Sequence, residues 1–377
     1  MLLFSHDIFA AQIAGGISRC MTEIARALPG NDVSFRVAET NSKNVHLQQA
    51  KRDASFDLRC VSVGTRISLP FLSQLSNERN LAALCNSSDT HILHRTYYAP
   101  FDFCSKSMAR VETLHDMWEE VGPRLEGTHP KRYLKSHIKH RALARADAII
   151  CVSKATQNDL RDVWPELSSR SAVIPHGIRP LSDTPLRHDG IRPFLLFVGR
   201  REKYKNFSLC LNILTDNSQL SALDLICVGG GPLTTAEKKD IETANLGGRV
   251  RQVSANDDEL AGFYMSATAL VYPSAFEGFG MPLLEAMQYG CPVISSDKTS
   301  LPEVAGEAAI LAGPDDVSAW QNAAAAVLEN EALRSNLGAR GRARASLFSW
   351  NAAAKAHADL YKTLAKPGSM RRQKHAS

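Results

Sequence analysis

The stretch PSAFEGFGMPLLEAMQYGCPVI, residues 273–294, contains a strand-to-helix junction that can be interpreted residue by residue. The apolar run that ends at Tyr272 predicts a strand, and the glycines after it predict a turn. Pro282 stands where a helix begins, since proline loses no hydrogen bond there, and Gly290 marks the helix end. This order of elements is typical of a parallel sheet with crossover helices.

The same alternation of apolar runs and amphipathic stretches extends over most of the 377 residues, a length that favours two domains. The predicted strands are 1–5, 33–38, 91–95, 110–114, 147–152 and 171–174, and then 194–198, 222–228, 249–253, 268–272, 291–296 and 308–311. The predicted helices include 17–28, 132–145, 154–163, a region from 316 onward, and 350–364. We therefore expect an α/β protein with two Rossmann-like, parallel-sheet halves.

A polar segment rich in turn-forming residues separates the two series and predicts a linker at 181–192. It divides an N-terminal domain, 1–180, from a C-terminal domain, 193–347. A helix over 348–366 follows, and residues 367–377 are expected to be disordered.

The eight cysteines are scattered, without a C-x-x-C pair or a metal-ligand spacing, and several lie in apolar runs. This usage favours a reducing cytoplasm. The sequence shows no charged leader and no run of about 18 apolar residues, so we expect a cytoplasmic protein that is neither exported nor membrane-spanning.

The net charge of +5 is too small to indicate nucleic-acid binding, but it is unevenly distributed. Basic residues concentrate in one helical segment and in the tail: Lys131, Arg132, Lys135, Lys139, His140, Arg141 and Arg145, and then Arg371, Arg372 and Lys374. One interpretation is peripheral contact with anionic lipid headgroups. The other is a solvated helix face followed by a disordered tail.

Two carboxylates lie on either side of the glycine turn in residues 273–294. Glu277 precedes the predicted helix, and Glu285 lies in its first turn or just beyond. A glycine turn that leads into a helix exposes backbone N–H groups and the positive end of the helix dipole, which can bind a diphosphate without a metal. The two glutamates can therefore face different parts of one ligand, unless both are ordinary solvated side chains.

A basic segment, GRREKYKN at 199–206, directly follows the first strand of the second half. Cations aimed at a departing diphosphate lower the barrier to its release, because negative charge develops on it in the transition state. Arg200 and Lys205 are the candidates, and the alternative is a basic loop without a special role.

The segment from Glu277 to Glu285, with its Gly-Phe-Gly-Met-Pro turn, closely resembles the E-x7-E motif of the family four (group 1) retaining glycosyltransferases. The resemblance implies the GT-B fold, with two Rossmann-like domains facing across an interdomain cleft. It implies that Glu277 contacts hydroxyls of the transferred sugar and that Glu285 accepts hydrogen bonds from the nucleotide's ribose. Further donor-binding residues implied by the motif are Gly278, Phe279, Gly280, Met281 and Leu283.

Other positions match the same family. The G-R-x4-K-N pattern implies that Arg200 and Lys205 are paired phosphate ligands, and Val253 with Ser254 would border the nucleobase. In the first half, His115 would reach the donor sugar and help to align the acceptor, unless it is an incidental histidine at a strand end. Gly16, in a glycine pair that precedes a helix, would approach the donor diphosphate or the acceptor.

The resemblance implies a retaining glycosyltransferase that transfers a hexose from a nucleotide diphosphate sugar. We expect no metal and no other cofactor, because the sequence has no D-x-D and Arg200, Lys205 and the helix N-terminus would supply the positive charge. A looser similarity to mannosyltransferases, at 15–18 and 94–98, favours GDP-mannose as the donor and a lipid-linked or polysaccharide acceptor of bacterial lipopolysaccharide, O-antigen or exopolysaccharide synthesis.

Two alternatives remain for the activity. One is a sugar-nucleotide epimerase or hydrolase of the same fold, and the other is a non-catalytic glycan- or nucleotide-binding subunit. For the acceptor, Tyr97, Tyr98 and Phe101 could form a sugar-stacking wall or an ordinary aromatic cluster.

Overall fold

A computed structural model of the chain describes residues 1–40, 42–64, 69–87, 89–105, 108–122, 130–186, 188, 191–215 and 217–365. The chain divides into two compact units. The second unit is Ile178–Ser349, and the first unit comprises the chain up to Gly177 together with the segment that begins at Trp350. The predicted disordered tail, 367–377, lies outside the described residues.

The first unit is built on a seven-stranded parallel sheet with the strand order β3-β2-β1-β4-β5-β6-β7. Its strands are β1 (Leu2–Phe4), β2 (Phe35–Glu39), β3 (Cys60–Ser62), β4 (Ile92–Arg95), β5 (Ala109–Leu114), β6 (Ala148–Cys151) and β7 (Ser171–Val173). Its helices are α1 (Asp7–Ala11), α2 (Gly16–Ala27), α3 (Val45–Arg52), α4 (Pro70–Ser87), α5 (Trp118–Val121), α6 (Pro130–Arg145), α7 (Lys154–Val163), α8 (Pro165–Ser168) and, after the second unit, α16 (Trp350–Leu364).

The second unit is built on a six-stranded parallel sheet with the order β10-β9-β8-β11-β12-β13. Its strands are β8 (Phe194–Val198), β9 (Asp224–Val228), β10 (Val250–Val253), β11 (Ala269–Tyr272), β12 (Val293–Ser296) and β13 (Ile310–Ala312). Its helices are α9 (Phe207–Leu214), α10 (Thr235–Thr243), α11 (Asp257–Ser266), α12 (Met281–Gln288), α13 (Leu301–Ala305), α14 (Val317–Glu329) and α15 (Glu331–Ala345). The predicted α/β class with two Rossmann-like parallel sheets is confirmed.

Each sheet reverses its strand order at one point. In the first unit the reversal lies between β1 and β4, where Leu2 pairs with Ile92. In the second unit it lies between β8 and β11, where Ala269 pairs with Leu195. Loops that leave the carboxyl ends of strands on either side of such a point diverge and open a crevice, which is where open α/β sheets bind ligands.

The central strands are continuous apolar runs because helices cover both faces of a parallel sheet. Leu195 and Phe197 of β8 are fully buried in the core of the second unit, where they belong to one cluster with Leu211 of α9 and Trp320 of α14. Burial of each such side chain stabilises the fold by about 1.5–3 kcal/mol.

The last helix, α16, packs within the first unit, against α2. Trp350, Ala354 and Tyr361 are buried on one side of it, and the Tyr361 hydroxyl lies 2.6 Å from Nδ1 of His94 in β4. A helix that follows the second unit in sequence therefore completes the core of the first.

The segment 181–192, which the sequence predicted to be a linker, does not lie between the two units. The division of the chain lies between Gly177 and Ile178, and the described part of the segment belongs to the second unit. The backbone N–H of Ser182 donates to the Tyr289 hydroxyl at 3.0 Å, and that hydroxyl donates back to the Ser182 carbonyl. These long-range bonds, which turn-forming composition does not reveal, tie the segment to the second sheet's helices.

All eight cysteines are free, and seven of them are buried. Within the described ranges, no helix has both the length and the apolar composition that crossing a bilayer requires.

Candidate active site

The loops after β8 and β11 flank the strand reversal of the second sheet. The loop after β8 carries Arg200 and Lys205, and the loop after β11 carries Glu277. Three residues predicted from two separate segments therefore lie in loops at the carboxyl ends of neighbouring strands, on the same edge of the sheet. This is the edge where a ligand is expected.

The turn that leads from β11 into α12 is held by the loop after β12. The Ser300 hydroxyl donates to the carbonyls of Glu277 and Phe279, at 2.9 and 3.0 Å. The backbone N–H of Glu277 donates to the Thr299 hydroxyl at 3.0 Å. The backbone around Glu277 is therefore fixed before any ligand binds.

Gly280 ends this turn with φ at +103°, a conformation that other residues rarely adopt. It is the residue before α12 and, as a glycine, has no side chain to cap the helix. Pro282 has no N–H, and the N–H of Leu283 donates to the Gly280 carbonyl at 3.1 Å. The positive end of α12 thus follows the turn that contains Glu277, and the helix dipole there favours an anion.

Lys205 and Glu277 are brought together as an ion pair, in which the ammonium donates to the Glu277 carboxylate. The ammonium also lies 3.3 Å from the Tyr272 hydroxyl and within 5.4 Å of the centres of the Tyr204 and Tyr272 rings. Both charged side chains are largely buried, which strengthens their attraction. Burial, and then the Glu277 carboxylate, raises the pKa of Tyr272 well above its usual value, so this hydroxyl stays protonated.

Glu285 lies on α12 and is buried against Tyr264 of α11. The Tyr264 hydroxyl donates to Glu285 Oε2 at 3.0 Å. Burial, and then Glu285, raises the pKa of Tyr264 well above its usual value. A neutral phenol therefore holds one carboxylate oxygen of Glu285.

Arg200 lies on the same loop as Lys205 but is directed to solvent, with 79% of its side chain exposed and Glu202 at 3.4 Å. The neighbouring Arg201 is buried instead. Its guanidinium pairs with Glu237 at 2.8 Å and donates to the Gly229 carbonyl at 3.0 Å. Arg201 is therefore a structural clamp on the loop after β9, whereas Arg200 is free to reach a ligand.

The remaining predicted donor residues are placed as follows. Val253 ends β10 and is half-buried, and Ser254 follows it and is exposed, at the same carboxyl edge of the sheet. Met281 is half-buried at the start of α12, whereas the Leu283 side chain is fully buried. Leu283 can thus present only backbone atoms, because its apolar side chain packs into the core. Gly278 is buried in the turn.

His115 directly follows β5 of the first unit and is buried. Its backbone N–H donates to the Tyr98 hydroxyl at 3.3 Å, and its ring stacks on His176 with a centroid distance of 6.2 Å. Burial, and then Lys139, lowers the pKa of His115 to about 3. The imidazole is therefore neutral near pH 7, and its buried Nε2 has no hydrogen-bond partner among the described residues.

Gly16 is the first residue of α2, and a side chain added there would meet no atom within 4 Å. At Gly15, an added Cβ would lie 2.5 Å from Oε1 of Gln12. Gly16 therefore borders open space at a helix N-terminus, whereas Gly15 is confined by its own loop.

The basic segment of α6 does not act as one surface. Lys139 is only 2% exposed and binds Glu119 and Glu120 at 2.7 and 2.9 Å. It is therefore part of the interior, which corrects its assignment to a lipid-facing cluster. Tyr133 and Leu134 of the same helix are 67% and 63% exposed. The basic residues of the tail lie outside the described ranges.

Sequence reasoning did not select Tyr264, Tyr272 or Arg201. Each has a hydrogen-bond partner that lies 21 to 67 residues away, so local spacing contains no signal for that contact. The glycine run Gly229–Gly231, with three positive φ angles, was a signal that could have indicated the loop clamped by Arg201.

Comparison with known proteins agrees with this architecture. The family described as Glycosyl transferases group 1 matches residues 179–344, and Glycosyltransferase Family 4 matches residues 14–180. The O-antigen chain mannosyltransferase B of Escherichia coli is 30% identical over 289 residues, which cover 71% of this chain and 74% of that protein.

Two solved structures share the fold. The sucrose-phosphate synthase of Thermosynechococcus elongatus has a TM-score of 0.73 at 22% identity and covers 96% of this chain and 98% of its own. Anabaena HepE in complex with UDP-glucose has a TM-score of 0.72 at 15% identity, with coverages of 96% and 99%. These similarities confirm the predicted fold class.

Proposed function

Because the chain belongs to the group 1 glycosyltransferases, we propose that it is a retaining enzyme that transfers a hexose from a nucleotide diphosphate sugar to a glycan acceptor. The observation that carries this proposal is the Lys205–Glu277 pair beside the N-terminus of α12, at the strand reversal of the second sheet. The cation and the helix dipole there suit the diphosphate of a sugar nucleotide, and the carboxylate suits the hydroxyls of its sugar.

Each group has a role that its chemistry supports. Lys205, exposed Arg200 and the N-terminus of α12 bind the diphosphate, since all three supply positive charge. Glu277 accepts hydrogen bonds from hydroxyls of the transferred sugar. Glu285, held by Tyr264, accepts hydrogen bonds from the ribose. When the donor binds, the Lys205 ammonium forms a contact with the diphosphate, and its ion pair with Glu277 becomes weaker.

The transfer replaces one bond at the anomeric carbon. The bond to the diphosphate oxygen breaks, a bond to the acceptor hydroxyl oxygen forms on the same face, and the acceptor's proton passes to the departing phosphate. Lys205 and the α12 N-terminus lower the barrier by stabilising the charge that develops on the leaving group. No side-chain nucleophile is required, and His115, being neutral, serves as a hydrogen-bonding group for a sugar hydroxyl. We propose that this charge stabilisation needs no divalent ion.

GDP-mannose is the favoured donor, because the mannosyltransferase similarity covers most of the chain. UDP-glucose is the principal alternative, since HepE binds it. The favoured acceptor is a lipid-linked or polysaccharide chain of O-antigen or a related bacterial glycan. Exposed Tyr133 and Leu134, with Lys131 and Lys135 beside them, suit peripheral contact with an anionic bilayer surface on the cytoplasmic side.

The direct test is donor binding followed by transfer. We expect one of GDP-mannose, UDP-glucose and UDP-N-acetylglucosamine to raise the unfolding midpoint, because a ligand at 100 times its Kd stabilises by about 2.7 kcal/mol. Glu285→Gln should weaken that binding, and the exposed Glu242→Gln in the same unit is the matched control. No shift with any donor would contradict the proposal. Donor consumption that is unaffected by glycan acceptors would instead favour a hydrolase or an epimerase.

A further inference from the structure

The first unit contains a second crevice at its own strand reversal, between β1 and β4. A cavity of about 310 Å³ lies there, of a size at the lower end for small-molecule sites. Its walls come from helix α1 with the residue before it, the loop after β4 and the helix α4. The lining includes His6, Asp7, Gln74, Asn77, Tyr97 and Tyr98.

Two buried side chains of this cavity have polar atoms without protein partners. Asn77 is 8% exposed and its Oδ1 makes no hydrogen bond to any described residue, and the same holds for Nδ1 of His6, which is 3% exposed. A buried polar atom that stays unpaired costs about 1–3 kcal/mol. Burial also lowers the pKa of His6, so its ring is neutral and can exchange hydrogen bonds with a hydroxyl.

An aromatic wall and a link to His115 complete the cavity. The rings of Tyr97 and Tyr98 lie 4.9 Å apart and offer apolar faces to the C–H side of a sugar ring. The Tyr98 hydroxyl accepts the backbone N–H of His115. Phe101 is directed elsewhere, since its ring contacts Phe71 and Phe103. Of the three aromatic residues in the predicted wall, only the two tyrosines line this cavity.

The charge beneath the cavity selects against anions. The Arg95 guanidinium is buried and binds Glu78 through two hydrogen bonds, at 2.9 and 2.7 Å, and Asp7 at 3.3 Å. Asp102 also lies 3.7 Å from this guanidinium, so one cation faces three carboxylates, and burial raises the pKa of Glu78 to about 7. Burial would raise the pKa of Asp7, but Arg95 holds it below its usual value, so Asp7 is ionised. The residues that line the cavity include the ionised Asp7 and no lysine or arginine, so a phosphate group there would meet a negative charge and no cation.

The same charges argue against a metal ion. His6, Asp7 and Glu78 place potential ligand atoms within 4.8 Å of one another. Arg95, however, already donates to both carboxylates and acts as their cation. The remaining polar side chains of the lining include the uncharged Asn77, His6 and Gln74, which suit hydroxyl groups.

We propose that this cavity binds one neutral pyranose ring, with Asn77, His6 and Gln74 hydrogen-bonded to its hydroxyls and Tyr97 with Tyr98 against its face. That the ring is the acceptor's terminal sugar rests on the proposed transferase function. The binding of a neutral sugar at these residues does not.

The test measures sugar binding and donor binding separately. Methyl glycosides of mannose, glucose, galactose and N-acetylglucosamine are titrated by ligand-observed NMR, with mannose 6-phosphate as the anionic comparison. The variants are Asn77→Leu and Gln74→Ala; Gln74 is exposed, so its variant should fold even where the Asn77 variant does not. Gln49→Ala, an exposed glutamine on α3, is the matched control.

We expect at least one neutral glycoside to bind the native protein and mannose 6-phosphate to bind at least tenfold more weakly. Asn77→Leu and Gln74→Ala should each raise the Kd of the glycoside about tenfold, which corresponds to the loss of one hydrogen bond. The control variant should bind the glycoside as the native protein does. The nucleotide-sugar shift of the unfolding midpoint should stay the same in all variants. Absence of glycoside binding, or equal binding by native protein and both variants, would overturn the sugar site. Glycoside binding without any nucleotide-sugar binding would support the site and contradict the transferase function.

Discussion

Tyr264→Phe removes one hydroxyl that connects the interior of the second unit to the proposed ribose ligand. The hydroxyl donates to Glu285 Oε2 at 3.0 Å, and both side chains are buried. A hydrogen bond to a charged group contributes about 1.5–3 kcal/mol, and phenylalanine keeps the ring that stacks on Tyr289. We therefore expect the free energy of unfolding of the second unit to fall by about 1.5–3 kcal/mol, and the midpoint by about 2–4 °C per kcal/mol.

The effect on donor binding separates a positioning role from a structural one. If Tyr264 orients Glu285 for the ribose, donor affinity measured by isothermal titration should fall about tenfold, or 1.4 kcal/mol. In a Glu285→Gln background the same change should have little further effect on affinity, since the two residues act as one unit. Tyr289→Phe, which loses bonds to Ser182 instead, is the matched control and should leave the affinity unchanged. A lower midpoint with unchanged donor affinity in Tyr264→Phe would show that Tyr264 stabilises the fold but does not orient Glu285 for the ribose.

Substitutions of Lys205 and Gly280 in the second unit, and of His357 in the first, test further parts of the structure. Lys205→Met should lower kcat about 10²–10³-fold, measured in a transfer assay, because it removes a cation from the leaving group, whereas exposed Lys203→Met should change kcat less than twofold. Gly280→Ala should destabilise the second unit by about 1–3 kcal/mol in urea unfolding and weaken nucleotide binding, because φ is +103° and the new Cβ would lie 2.7 Å from Cδ2 of Leu301. The first unit should lose stability between pH 7 and pH 5, and His357→Gln should reduce that loss, measured as the slope of the unfolding midpoint against pH.

The sign of the pH effect comes from the folded-state pKa. Burial lowers the pKa of His357 to about 4, from an ordinary value near 6.5. Between these values the unfolded chain binds more protons than the folded one, so stability decreases as pH falls below about 6.5. At pH 5 the difference for one such histidine is about 2 kcal/mol. A slope that is identical in native protein and His357→Gln, in a variant that folds at pH 7, would contradict this assignment.

Lys205→Met and Gly280→Ala can each fail in a recognisable way. An unchanged kcat in Lys205→Met would remove Lys205 from leaving-group stabilisation. Normal stability and nucleotide affinity in Gly280→Ala would show that the turn does not depend on its left-handed conformation.

The sequence predicted the second sheet well because its strands are buried on both faces. Phe194–Val198 is a continuous apolar run of the kind that such burial requires. The glycines and prolines around α12 likewise have a local conformational cause, as the positive φ angles of Gly280 and Gly290 illustrate. Local causes of this kind are visible in sequence.

Long-range polar partners explain what the sequence did not reveal. Helix α4 has no clear apolar periodicity, because Asn77 and Glu78 occupy buried positions and Glu78 is neutralised by Arg95, a residue of β4. Lys139 similarly resembles a surface lysine until Glu119 and Glu120 are seen around it. The charge of a segment does not indicate whether its partners are solvent or distant side chains.

In the candidate site, too, some features have a local sequence signal and others depend on long-range contacts. Glu277, Lys205 and the turn between β11 and α12 were predicted from motifs, and the structure places the two side chains in contact. The tyrosines that hold the two glutamates and the cavity at Asn77 depend on folding that brings separate strands and helices together.

The proposal that Lys205 and the N-terminus of α12 bind the diphosphate without a metal can be tested by titrating the native protein with GDP and UDP in EDTA. We expect one of them to bind with the same Kd before and after a divalent ion is restored, and Lys205→Met to weaken that binding at least tenfold. Binding that appears only with the divalent ion would contradict a metal-independent diphosphate site. Binding that Lys205→Met leaves unchanged would contradict the role of Lys205 in it.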